Sequence, residues 1–254
     1  STLSGVGITV GGVLKSDGTN RSLVINDAGA TVLSGVVGSS STVGEKLSSL
    51  STDAAGSTVI NGGGVYTTQA QTYADNLALG AGTILSSTGS GISVSLNGNI
   101  DSVGSERALT INTSGLSSHA SLSGYIGTNL GLSALTVHAS NISWNIASLQ
   151  TSGAQSYTGA LTLVADTALT ASTVLIGEGS SITGAGNDFS IVGNANIGGQ
   201  IQGVADLNVT GATQLGGRVT TSGTQRFGGG VVLHADSTLS GVGITVGGVL
   251  KSDG

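Results

Sequence analysis

Residues 1–18 read STLSGVGITVGGVLKSDG, and residues 237–254 read the same eighteen letters. Ser1 returns as Ser237, so the chain holds one whole period (1–236) and the opening of the next (237–254). Chance does not produce such an identity. It implies a parent chain or fibre in which the unit 1–236 recurs in tandem. The chain starts at Ser1 with no Met and no signal-peptide pattern, and is therefore expected to be an excerpt of something longer.

Working outward from that duplication, a second and looser repeat lies inside the period. TTQAQTY at 67–73, TSGAQSY at 151–157 and TSGTQRF at 221–227 are three versions of one motif, so sub-repeats begin near 67, 151 and 221. The residues that follow also align: Leu77, Leu161 and Val231; Leu79, Leu163 and Leu233; Leu85, Leu169 and Leu239. Tyr73, Tyr157 and Phe227 divide the period unequally. The step from Tyr157 to Phe227 is the shortest, so the sub-repeats differ by insertions and deletions.

Shorter units carry the strand signal. SLVIND (22–27), ALTINT (108–113), ALTVHA (134–139) and DLNVTG (206–211) place Leu23/Ile25, Leu109/Ile111, Leu135/Val137 and Leu207/Val209 at every second position. Ile92, Val94 and Leu96, and Ile142, Trp144 and Ile146, keep the same alternation. A period of two puts one face of a strand inside and the other outside. No stretch has helical spacing. GG, SDG, NGG, TSG and GAGND separate the runs and supply bends.

Short strands with such bends suit a sandwich, a barrel or a solenoid. The repeat hierarchy decides among them, because a closed barrel or sandwich cannot be extended in register by another whole period and a β-solenoid can. The expected fold is all-β, one continuous parallel β-solenoid over 1–254. Coils of about 20 residues would give about 12 per period, roughly 57 Å at the inter-strand spacing. Each coil hydrogen-bonds to its neighbours, with ladders of Leu, Val and Ile inside and mostly Thr, Ser and Asn outside. Proline, absent from this chain, would delete a ladder donor in almost any strand. The open edges at the two ends predict self-association end to end.

Composition narrows the function. There are 45 Gly, no Cys and no Met, and only 8% of residues are charged against about 25% in an ordinary globular domain. Without cysteine there are no disulfides and no thiolate metal sites. Seven Lys and Arg, spread singly in a chain of net charge −6, make no basic patch, so no nucleic-acid partner is expected. No apolar run is long enough for a membrane span.

STDAAGSTVINGG (51–63), TSGAQSYTGALTLVADTALTAS (151–172) and DLNVTGATQLGGRVTTSGTQ (206–225) resemble repeats of large bacterial surface proteins of the filamentous haemagglutinin type, and variants of these phrases cover most of the chain. The resemblance implies a right-handed parallel β-helix shaft and export by a two-partner route through an outer-membrane secretion partner. It also implies an extracellular or cell-surface location, with roles in adhesion and biofilm. The secretion domain of such proteins is not in this sequence. No catalytic residue carries over.

Candidate chemistry is sparse. His119, His138 and His234 stand in no metal-ligand or catalytic spacing, and the ten Asp sit mostly in turn contexts. The nonapeptide of calcium-binding β-rolls is absent. Tyr73, Tyr157 and Phe227 suit either a sugar-stacking stripe or a structural plug, and their wide spacing favours the plug. The expectation is therefore a structural protein and not an enzyme: the tandem-repeat shaft of a bacterial extracellular fibre or adhesin, without cofactor or metal. Its partners are further copies end to end, with lateral self-association or surface glycans as additional contacts. The alternatives are a β-helix polysaccharide-active enzyme, which needs clustered Asp/Glu with Arg/Lys, and a carbohydrate- or ice-binding module, which needs regular Thr rows.

Overall fold

Runs of Leu, Val and Ile at alternate positions form strands, and each strand pairs in parallel with the corresponding run one coil further along. The computed structural model describes residues 1–88, 93–114, 116–146 and 148–253. It is an all-β parallel β-solenoid of about 12 turns. The helical content among the described residues is one 3-10 turn, Val43–Glu45. Two compact units divide the chain: Ser1–Ser133 with Val137–Ser140, and Ala134–Thr136 with Asn141–Gly254.

In the first unit every coil contributes to three parallel stacks, each with an inward ladder. Leu3, Ile25, Thr52, Tyr73, Leu96 and Leu122 pair in succession along one. Val10, Leu33, Ile60 and Leu79 form the second. Leu14, Val37, Val65, Leu85 and Ile111 form the third. Coil length varies here: Leu23 pairs with Leu50 and Leu50 with Gln71, and the first advance is the longer. The corners absorb the difference. Gly56, at φ +73°, turns so close to the coil above that an added Cβ would lie 1.8 Å from the Gly29 carbonyl oxygen.

The second unit is more regular. Leu149, Leu169, Ile191, Val209, Phe227 and Val246 form its first inward ladder. Tyr157, Ile176, Ile197, Leu215 and Leu233 form the second. Leu161, Ile182, Ile201, Val219 and Leu239 form the third. Ile191 to Val209 and Val209 to Phe227 are equal advances, so these later coils share one length.

Corners of this unit stack in register, across one longer coil and two equal ones. The Asp166 carboxylate accepts the backbone N–H of Asp188 at 2.9 Å, Asp188 accepts that of Asp206 at 3.0 Å, and Asp206 accepts that of Thr224. Turn carboxylates thus bond to the next coil, whereas turn chemistry alone would aim them at their own backbone.

The alternating pairs fall inside. Leu23, Ile25, Leu109, Ile111, Leu135, Val137, Leu207 and Val209 are buried, as are Val94, Leu96, Ile142, Trp144 and Ile146. Ile92 lies outside the described residues. The interior also holds hydroxyls and amides: Thr31, Thr52, Thr58, Thr67, Thr151, Thr221, Gln71, Gln155 and Gln225 are all buried. Outward polar rows alone do not account for the Thr and Gln content.

Candidate functional site

Those buried polar residues explain the looser repeat. Each version of the motif begins with a Thr that closes one strand and places a Gln four residues on, in the next strand. Gln71 Nε2 lies 3.2 Å from Thr67 Oγ1 and 2.8 Å from the carbonyl oxygen of Ser86, in the adjoining coil. Gln155 Nε2 repeats this with Thr151 Oγ1 at 3.3 Å and the Thr170 carbonyl at 3.0 Å. Gln225 Nε2 does so with Thr221 Oγ1 at 3.3 Å and the Ser240 carbonyl at 2.8 Å. The Thr hydroxyls donate to the carbonyls of Gln69, Gly153 and Gly223 across the turn. The Gln amide thus adds a donor to a strand carbonyl of the adjoining coil, and the Thr170 carbonyl accepts the backbone N–H of Thr151 at 2.9 Å as well.

The aromatic residue two positions on completes the module. The Tyr73 hydroxyl donates to Gln71 Oε1 at 3.1 Å and the Tyr157 hydroxyl to Gln155 Oε1 at 3.0 Å. Both tyrosines are fully buried, so neither presents a surface for sugar stacking. Burial, and for Tyr73 also the nearby Asp75 carboxylate, holds both hydroxyls protonated far above the ordinary tyrosine range. Trp144 meets Tyr157 edge to face, with ring centroids 5.2 Å apart. At the third module Phe227 has no hydroxyl, and Gln225 Oε1 is buried without a hydrogen-bond partner.

Of the aligned aliphatic positions, Leu79, Leu163, Leu85 and Leu169 are buried. Leu233 and Leu239 are half-buried, because they stand in or next to the last described coil, which is covered on one side. The polar half of the module was the part missed in the sequence. Its signal was present, since Thr-x3-Gln-x-aromatic is the spacing all three versions share.

The first unit holds two buried carboxylates with opposite behaviour. Burial pushes the Asp27 carboxyl up, but N–H groups of Gly29, Ile8 and Gly7 and the Thr31 hydroxyl outweigh it and bring the pKa to about 2. Burial also raises Asp75, and there the Thr52 and Thr58 hydroxyls, each 2.7 Å away, do not cancel it. Backbone donors at the open corner make the difference.

Two surface depressions lie on the second unit. One, of about 440 Å³, is floored by Gly198, Gly199, Gly216 and Gly217 and edged by Gln200, Gln202, Arg218 and Asp236. The other, of about 460 Å³, is edged by Glu178, Asn196, Gln214 and His234. The glycine floor has a packing cause: a Cβ on Gly217 would lie 1.8 Å from the Gly199 carbonyl oxygen. His234 faces the carboxylate of Asp253 in the last coil, while His138 is exposed and His119 half-buried. Among the described residues no three His, Cys, Asp or Glu converge as metal ligands, and no helix is long and apolar enough to cross a membrane. Comparison with family models, with curated proteins and with solved structures finds no match.

Proposed function

We propose that this chain is a length of structural shaft from a bacterial extracellular fibre or large surface adhesin, built by tandem repetition of the unit 1–236. The observation that carries the reading is the exact return of residues 1–18 at 237–254 in a chain folded as a parallel solenoid. A solenoid is the architecture in which a repeat adds coils without rebuilding a core. The Thr–Gln–aromatic modules fit this role, because their buried side chains tie coil to coil in addition to the strand pairing.

In this reading the work is mechanical. The shaft gives reach, and adhesion belongs to other parts of the parent protein or to the lateral Thr, Ser and Asn surface, with glycans as the class of ligand. Export through an outer-membrane partner, contribution to biofilm and right-handed winding follow from the sequence resemblance and complete the proposal.

The test is to express one, two and three copies of the unit 1–236 in tandem and image them by electron microscopy, with fibre diffraction on aligned material. Rods whose length grows by roughly 57 Å per period, with a meridional reflection near about 4.8 Å, are expected. Particles whose length does not grow with repeat number overturn the reading.

A further inference from the structure

Asparagine is followed by glycine twice in this chain, at Asn61–Gly62 and at Asn97–Gly98, and both asparagines are exposed. Such a pair is open to attack by the glycine nitrogen on the asparagine side chain, because glycine has no Cβ to block the approach. By sequence the two sites are equal, and the fold separates them.

At the first site the Leu33 carbonyl accepts both the Asn61 N–H at 2.9 Å and the Gly62 N–H at 3.1 Å. The nitrogen that would attack is therefore occupied. The Asn61 carboxamide lies over the next coil, where a Cβ on Gly80 would collide with its Oδ1. At the second site the Asn97 N–H donates to the Tyr73 carbonyl at 2.9 Å. Among the described residues, however, no acceptor takes the Gly98 N–H and no group holds the Asn97 carboxamide.

We propose that Asn97 is a site of spontaneous modification, at which the chain converts its own asparagine to isoaspartate and aspartate. Hydroxide takes the Gly98 N–H proton, and the nitrogen attacks Cγ of Asn97. The new N–Cγ bond closes a cyclic imide. The bond from Cγ to the side-chain nitrogen breaks, and ammonia leaves with a proton from water, which restores the hydroxide. Water then opens the imide. Attack at the main-chain carbonyl gives isoaspartate, and attack at the side-chain carbonyl gives aspartate. Nothing is oxidised or reduced.

Isoaspartate adds a methylene to the backbone at a corner with no room for it. A Cβ on Gly98 would already collide with the Asp75 carbonyl oxygen of the neighbouring coil. The same corner ties coils together on both sides. The Asn99 N–H donates to Asn76 Oδ1 at 2.9 Å, its carbonyl accepts the Leu77 N–H at 2.8 Å, and its Oδ1 accepts the Tyr125 N–H at 3.0 Å. Conversion at Asn97 loosens these contacts. The chemistry needs only the folded corner and stands apart from the shaft role.

The test incubates the full chain at mildly alkaline pH, folded and in urea, and follows both sites by peptide mapping with mass spectrometry. Isoaspartyl methyltransferase labelling identifies the isoaspartate. In the folded chain Asn97 is expected to convert about threefold to tenfold faster than Asn61, the ratio that one protecting hydrogen bond sustains. In urea the two rates are expected to converge, and Asn97→Gln is expected to remove the faster reaction. The isoaspartate form is expected to exchange its Asn99 and Tyr125 amide hydrogens faster than the fresh chain. Equal rates in the folded chain, a faster Asn61 or a ratio that persists in urea overturns the assignment. Unchanged exchange at Asn99 and Tyr125 overturns the effect on the corner.

Discussion

The Tyr157 hydroxyl donates to Gln155 Oε1 at 3.0 Å, and at the corresponding place in the third module Phe227 leaves Gln225 Oε1 buried with no donor. One sequence difference therefore isolates one hydrogen bond in an otherwise repeated setting. Phe227→Tyr is expected to stabilise the chain by about 0.5–1.5 kcal/mol, because the other two modules accommodate the hydroxyl. Tyr157→Phe is expected to cost about 1–3 kcal/mol, since it orphans a buried amide oxygen. Urea unfolding monitored by circular dichroism measures both. A Phe227→Tyr variant that is destabilised, or a Tyr157→Phe variant that is unchanged, would show that the module acts by packing alone.

Gly56 and Gly104 separate backbone strain from collision. Both have left-handed φ, +73° and +75°, but a Cβ at 104 meets nothing within 4 Å, whereas one at 56 strikes the Gly29 carbonyl oxygen. Gly104→Ala is expected to cost about 1–2 kcal/mol, the strain of that conformation. Gly56→Ala is expected to cost clearly more, because coil must part from coil. Thermal melts of the two variants side by side give the comparison.

The paired carboxylates of the first unit predict an acid profile with a maximum. Asp75 has a folded pKa above its ordinary 3.8, so the folded state binds its proton more tightly and stability rises as pH falls through the raised value. Asp27 has a folded pKa of about 2, so its contribution is present above 3.8 and is lost as pH falls towards 2. Stability of this unit is expected to climb on mild acidification, peak at about pH 4 and fall below it. Asp75→Asn is expected to flatten the climb and keep the fall, which stability measurements across that range detect.

The aspartate stack of the second unit predicts a local signature. Asp206 accepts both the N–H and the hydroxyl of Thr224, and these hydrogen bonds hold its carboxyl below the usual range. Asp206→Ala is expected to speed hydrogen exchange at the Thr224 amide more than at Gln225, and Asp206→Asn to restore part of the protection. Uniform acceleration across the coil would mean that the carboxylate acts on the coil as a whole.

Much of this was legible in the chain. Alternation at Leu23/Ile25, Leu109/Ile111 and Leu207/Val209 identified inward faces, because a strand turns every second side chain the same way. The offset between 1–18 and 237–254 excluded closed folds. The modules were visible as a repeat, but only their aromatic and aliphatic members were read. Thr67, Thr151, Thr221 and the three Gln are polar, and composition assigns polar residues to the surface.

By itself the sequence determined that strands recur, that they are parallel by succession, and that the unit can continue into another copy of itself, because periodicity and identity are properties of order along the chain. Tertiary structure alone decided which polar side chains go inside and which coil each one serves. Gln155 meets the carbonyl of Thr170 only when the chain has come back beside itself; all three modules keep the same 15-residue spacing, but nothing local along the chain says that this spacing brings the two positions into contact.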